Sequence, residues 1–329
     1  MISDYVRTTL AFLAFGAGLF TATACAPTVS TSAGVSELQP ALPGSNAVPK
    51  PSPTILRQPD LGPKPRGWLN TVSQPGSLIY VAAGRQVLIF SESGFNRKQI
   101  GSITDGVRNA YGLYVDGSRN LYVANSSTIT AYHPGTLNPY VVYKDPAGPM
   151  YIVKNRSGWL YAANHDGTVS EYLPGHTSPS RTLLTPGTEA DGINVDDASD
   201  VYVAYRDQTG MGSIKEFQAN SRNGRILGMQ LTQPQGLQLD HSGNILVVET
   251  GDKQVVDIFP PGSTSPSNVV QAVDGVTQVV LREANENMYV SNFRNYSVYI
   301  SPYPPGEFQR KLGAGAVRVQ GMALSNEAP

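Results

Sequence analysis

A single cysteine among 329 residues, Cys25, excludes any disulfide within the chain, so no covalent cross-link braces the fold. Histidine is nearly as scarce. His133, His165, His176 and His241 stand far apart, with no HxH or HxxxH spacing, which leaves no histidine-based metal site to read. Charged residues make up 15% of the chain, against roughly 25% in ordinary soluble proteins. The net charge is −1 and no strongly basic stretch occurs, which excludes the electrostatic footprint of a nucleic-acid binder. No GxSxG sequence marks a nucleophile elbow, so the pattern names no catalytic residue. Abundant instead are glycine (33) and proline (25), with 40% apolar residues. Their joint share is well above the roughly 12% typical of proteins, and the chain therefore reads as turn-rich with ample material for a core. Wholly disordered, coiled-coil and collagen-like chains are excluded.

The one long apolar run lies at the start. Residues 8–24 are charge-free behind Arg7, yet Gly16, Gly18, Thr21 and Thr23 dilute a segment already short of the about 20 apolar residues that a spanning helix needs. Residues 1–24 therefore read as a signal peptide. The ATAC sequence ending at Cys25 resembles a bacterial lipoprotein lipobox, with Ala22 where Leu is usual. That resemblance implies lipid attachment at Cys25 and a chain exported to the cell envelope, membrane-anchored on its extracytoplasmic side. Residues 25–67 hold prolines at 27, 40, 43, 49, 51, 53, 59, 63 and 65 and few bulky apolar residues, the composition of an extended tether.

Self-comparison of the remainder, residues 68–329, shows a repeat of about 42 residues. IYVAA from Ile79, LYVAN from Leu121, LYAAN from Leu160, VYVAY from Val201, ILVVE from Ile245 and MYVSN from Met288 mark six copies. Their period-2 alternation is that of strands packed on both faces. Most copies have an earlier strand ending in an acidic turn, such as GLYVDGSRN from Gly112, GINVDDASD from Gly192 and GLQLDHSGN from Gly236. A third strand and a looser fourth follow. Four strands per repeat predict an all-β, six-bladed β-propeller. The first copy lacks the GLxVD strand, and QGMALSN from Gln320 supplies it, so a C-terminal strand is expected to close the first blade.

The fifth copy, Pro234 to Gly262, resembles the NHL repeat. Copies three and six are weakest, with Lys154 and Arg282 in place of the turn Asp. The resemblance covers about 250 residues. It implies the fold and leaves function open, because such propellers serve as scaffolds, lactonases and lyases alike.

Asp116, Asp196 and Asp240 recur at one repeat position, where an Asp side chain can accept backbone N–H groups of its own turn. The tyrosines at 80, 122, 161, 202 and 289 are expected in the core between blades, with hydroxyls reaching the rim. Ligand contacts are expected where inner strands begin and second strands end. The first set comprises Tyr111, Pro149, Asp191, Gln235, Thr277 and Gln320; the second, Ala83, Asn125, Asn164, Tyr205, Glu249 and Asn292. Arg85, Arg206 and Arg294 follow closely. Amides both donate and accept, so this mouth suits a polyol, sugar or peptide better than one strong anion. The expectation is a monomeric, non-catalytic scaffold for a protein or saccharide partner, with no cofactor. Two alternatives stand beside it. One is a metal-dependent, lactonase-like hydrolase or lyase, for which Asn164, Asp191 and Glu249 would have to converge on one ion; the other is a structural envelope protein.

Overall fold

The computed structural model describes residues 67–69, 77–92, 98–282, 286–305, 308, 310–313 and 318–325, all in strands, turns or irregular segments. The signal peptide, Cys25 and the tether up to residue 66 lie outside the described residues.

Six antiparallel sheets follow one another. From the inside outward, blade 2 runs Leu113–Val115, Leu121–Ala124, Thr128–Tyr132 and Val141–Lys144, and blade 3 runs Pro149–Lys154, Leu160–Asn164, Thr168–Tyr172 and Arg181–Leu184. Blade 4 comprises Glu189–Val195, Val201–Arg206, Met211–Phe217 and Gly224–Ile226, with the short Leu231–Thr232 pairing beside the start of its third strand. Blade 5 comprises Pro234–Leu239, Ile245–Glu249, Val255–Phe259 and Asn268–Gln271; blade 6 comprises Val276–Leu281, Asn287–Asn292, Ser297–Pro302 and Arg310–Gly313. Gly321–Leu324 forms the inner strand of blade 1, ahead of Leu78–Ala83, Gln86–Ser91 and Gln99–Ile103. The expected closure is present: Gly321 to Leu324 pair antiparallel with Ala82 to Ile79. Blade 1 carries a fifth strand that no repeat pattern announces, Trp68–Leu69, laid along its outer edge. The inner strands touch in ring order, blade 6 meeting blade 1.

Local chemistry explains the turns. Asp116 Oδ1 accepts the N–H groups of Ser118 at 3.0 Å and Asn120 at 2.9 Å, and Asp240 Oδ1 accepts those of Ser242 and Asn244 at 2.9 and 2.8 Å. Asp196 Oδ1 accepts Asp200 N–H at 2.8 Å. In blade 3 the turn residue is Asn155, not Lys154: Asn155 Oδ1 accepts Trp159 N–H at 2.9 Å, whereas Lys154 ends the strand and reaches across the blade boundary to Asp116 at 3.1 Å. The third strands end in Pro-Gly turns at Gly135, Gly175 and Gly262. There a proline at the second turn position and a positive φ at the third make type II turns that glycine accommodates without strain.

The core lies between blades. Tyr122, Ala124, Ile129 and Ala131 of blade 2 pack on Ile152, Leu160, Ala162 and Tyr172 of blade 3. Of the five repeat tyrosines, Tyr80, Tyr122, Tyr161 and Tyr289 are buried and Tyr202 is half-buried. Tyr122 donates its hydroxyl to Asp116 at 3.1 Å and Tyr202 to Asp196 at 3.4 Å, so the turn carboxylates also serve as the rim partners.

Candidate functional site

Near the axis the inner strands share one level, occupied by Gly112, Tyr151, Gly192, Gly236, Gln278 and Gly321. At the glycines the neighbouring backbone approaches too closely for a side chain. A Cβ on Gly112 would stand 2.5 Å from Met150 O, one on Gly192 2.5 Å from Gln235 O, and one on Gly236 2.6 Å from Gln278 Cα. The space left free is filled by the two large members of the level. Tyr151 of blade 3 donates its hydroxyl to Thr277 O of blade 6 at 3.1 Å, and Gln278 Oε1 accepts Met322 N–H of blade 1 at 2.8 Å. Since blades 3 and 6 are opposite members of a six-membered ring, Tyr151 bridges the axis.

Beyond this level the inner strands diverge around a cavity of about 610 Å³. All six blades contribute to its wall, through Leu113, Ile152, Ile193, Leu237, Val280 and Met322 among others. Tyr111, Pro149, Asp191, Gln235, Thr277 and Gln320 are not among the residues that line it; the polar mouth is formed at the other end by Asn155, Arg156, Asp196, Asp197, His241 and Arg282. The cavity thus opens on the face of the Asp turns and has the Tyr151–Gln278 level as its floor.

The expected ligand ring gathers at the opposite, closed end, and the structure turns most of it inward. Asn125, Asn164, Asp191, Glu249 and Asn292 are each 0% exposed. Asn125 Oδ1 accepts Arg108 N–H at 2.7 Å, while its amide donates to Val123 O and Thr130 Oγ1. Asn164 donates to Thr168 Oγ1 and Ser170 Oγ. Asn292 donates to Val273 O and Asp274 O and accepts from Arg294 and Asn295 N–H. These amides pin loops, so Asn125 and Asn292 spend both ends within the protein, whereas the buried Asn164 Oδ1 has no hydrogen-bond partner there. Tyr205 is buried as well, whereas Tyr111, Gln235 and Gln320 are half-buried. In blade 3 the residue preceding the axial level is Met150 rather than Pro149, since Tyr151 holds that level.

The three residues considered for a shared ion keep to separate networks. Asn164 bonds within blade 3. Arg206 donates to Asp191 Oδ2 at 2.5 Å and also pairs with Glu189. Glu249 accepts Thr232 N–H and pairs with Lys253 at 2.7 Å. No cluster of three or more His, Cys, Asp or Glu side chains suited to a metal occurs among the described residues. Burial pushes the Asp191 carboxyl up to about 6 against the pull of Arg206.

Blade 5 replaces the amide–hydroxyl pairs of blades 2 and 3 by two carboxylates, Glu249 and Asp257, both within reach of Lys253. Burial first, then the hydrogen bond and charge of Glu249, push Asp257 up to about 7, with Lys253 opposing. A carboxyl whose folded pKa is raised favours the native state while protonated, so its contribution is present below about pH 4 and is lost as pH climbs through about 7. Asp257→Asn removes that dependence. Thermal melts from pH 5 to 8 are expected to show the variant overtaking the parent by about 1 kcal/mol or more at pH 8; parallel pH profiles would refute the raised Asp257 pKa.

No family model matches the chain, and no curated protein matches it. Solved structures do. A chain in the crystal structure of a nidogen/laminin complex is 15% identical with a TM-score of 0.67, covering 76% of this chain and 98% of that one. A protein of unknown function from Bacteroides caccae is 13% identical with a TM-score of 0.60, covering 76% and 99%. At such identities the likeness is one of fold.

Proposed function

We propose that this protein is a non-catalytic binding scaffold, exported and lipid-anchored at Cys25, whose NHL-like propeller engages a protein or saccharide partner at the open end of its axial cavity. The cavity carries the reading: about 610 Å³ lies within the usual range for ligand sites. Its floor admits no through-passage, so whatever binds must enter and leave at the turn face. Two cations there have acidic partners, Lys154 with Asp116 and Arg156 with Asp197, so the local charges largely offset one another, which suits a partner without strong net charge. A similar propeller chain comes from a complex of nidogen with laminin, in keeping with a protein partner. Residues 25–66 would act as the tether that holds the propeller away from the membrane.

A small diazirine side chain in place of Val280, on the cavity wall, should give a discrete light-induced adduct when the full chain is irradiated in its own envelope. The same group at Gln235, on the closed end, should not. Equal labelling from both positions, or from neither, would defeat the reading. Mass spectrometry of the mature N-terminus should find acylated Cys25; an unmodified N-terminus elsewhere removes the anchor but leaves the cavity site standing.

A further inference from the structure

The wall of the cavity is unevenly polar. Asn194, Gln238 and Gln278, from blades 4, 5 and 6 in turn, line it and are half-buried, whereas blades 1, 2 and 3 contribute Met322, Leu113 and Ile152. Each of the three amides is fixed at one end by backbone. Asn194 Oδ1 accepts Val195 N–H at 2.8 Å, Gln238 donates its Nε2 to Leu239 O at 3.0 Å, and Gln278 Oε1 accepts Met322 N–H at 2.8 Å. The backbone contact decides which end remains. Asn194 and Gln278 keep an NH₂ donor and Gln238 keeps a carbonyl acceptor, with no other partner among the described residues. Asn194 and Gln238 lie two residues beyond the axial level and Gln278 at that level, so the free groups are a donor and an acceptor side by side with a second donor deeper in the cavity.

We infer that the cavity takes an uncharged segment of polypeptide, with peptide groups against the amides of blades 4 to 6 and an apolar side chain against blades 1 to 3. This rests on the proposed binding role of the same cavity and names the ligand class. A peptide presents both carbonyl and N–H groups, which match the side-by-side donor of Asn194 and acceptor of Gln238 and the deeper donor of Gln278. Half-buried amides reward such pairing, because an unmatched partner takes away their water without replacing it. Below the mouth the opposing wall is mostly apolar, through Leu113, Val115, Ile152, Val153 and Met322. Tyr114 and, at the mouth, His241 are the rings that line the cavity; the Tyr114 ring packs at 6.1 Å against Tyr122 and its hydroxyl donates to Lys154 O at 3.0 Å, so the amides rather than an aromatic platform carry the recognition. Lys154 and Arg156 are held by Asp116 and Asp197, so no unpaired cation from blade 3 draws an acidic peptide. The closed floor requires a chain end or a protruding loop, because a continuous strand cannot thread the ring.

Panning a random hexapeptide phage library on the purified propeller tests this. Selected sequences should be uncharged and rich in aliphatic residues, and raising the salt from about 50 to about 500 mM should leave their binding unchanged. Gln238→Leu, close in shape but without the acceptor, should weaken the best peptide by about tenfold or more. Should that variant melt early, Gln238→Glu, which keeps the acceptor and adds charge, should give a comparable loss in a folded protein. Charged, salt-sensitive selections, or peptides indifferent to both variants, would overturn the inference. So would failure to select any peptide. Stabilisation by maltotriose that Gln238→Leu abolishes would overturn the peptide class while sparing the scaffold reading; no cavity-dependent ligand of either kind would remove both.

Discussion

A chain ending at Arg318 should fail to give a cooperative thermal transition. The removed segment supplies the inner strand of blade 1, and all of Gly321, Met322, Ala323 and Leu324 are buried. Val319 and Met322 are fully enclosed in the cluster that joins blade 6 to blade 1, together with Ile79, Val81, Tyr289 and Ile300. At about 1.5–3 kcal/mol for each large apolar side chain buried, losing Val319, Met322 and Leu324 alone approaches the total stability of a typical domain, about 5–15 kcal/mol. The backbone loss is added to this. Leu78 N–H donates to Ser325 Oγ at 2.6 Å, Ser325 N–H to Leu78 O at 2.9 Å, and Gln320 N–H to Ala82 O at 3.0 Å. Their removal leaves Leu78–Ala83 as an open edge next to an apolar face, the arrangement that aggregates. Circular dichroism melts and size-exclusion chromatography provide the check, and a synthetic peptide of residues 319–325 should restore part of the transition. A truncated chain that melts within a few degrees of the parent would show that the ring does not depend on its closing strand.

Gly321→Ala is expected to cost a sizeable part of the stability although it adds one methyl group. Ala normally suits a strand slightly better than Gly, by roughly 0.5–1 kcal/mol, and Gly321 has no positive φ to protect. The new Cβ would collide with Tyr111 O and stand 2.8 Å from Gln278 Oε1 and 3.0 Å from Gly112 Cα. Two of these are backbone atoms of blade 2, which cannot swing aside, and the third is the oxygen that holds Met322. Overpacking of this kind costs about 1–3 kcal/mol, occasionally more. In a ring of this size that lowers the melting temperature by about 5–10 °C. Gly117→Ala is the control, since its Cβ would meet nothing within 4 Å, and its melting temperature should stay within a degree or two of the parent's. Equal melting temperatures for both variants would refute the tight axial level.

The blade pattern is legible because two constraints repeat with it. A doubly packed second strand must alternate as IYVAA and LYVAN do, and the turn before it needs an oxygen acceptor at a set place, supplied by Asp116, Asp196 and Asp240. Where the acceptor is an Asn the turn geometry is the same but the sequence signal weakens, so Asn155 hides behind its neighbour Lys154. The open end of the ring was not legible. Whether a channel passes through depends on what the six axial positions hold. Tyr151 and Gln278 look like ordinary strand residues until they stand opposite four glycines that leave them room. The amides at the second-strand ends misled for a related reason. Polar residues before a loop read as exposed, yet Asn125 is saturated by Arg108 of the connection between blades 1 and 2, and Asn292 by carbonyls of Val273 and Asp274. Those partners lie 17 to 19 residues away, a distance at which no local pattern speaks. The Trp68–Leu69 strand is two residues long and carries no periodicity at all.

The hydrogen bond between Leu78 and Ser325 spans 247 residues of sequence, and this bears on biosynthesis. At about 5–20 residues per second, synthesis of that stretch takes roughly 10–50 seconds, and throughout it blade 1 has no inner strand. Blades 2 to 6 are sequence-local and can form as they emerge, but the ring cannot lock until residues 319–325 are free of the ribosome. Until then the inner edge of Leu78–Ala83 has no partner strand, so the interval before closure is the one in which the chain is most exposed to edge-to-edge association.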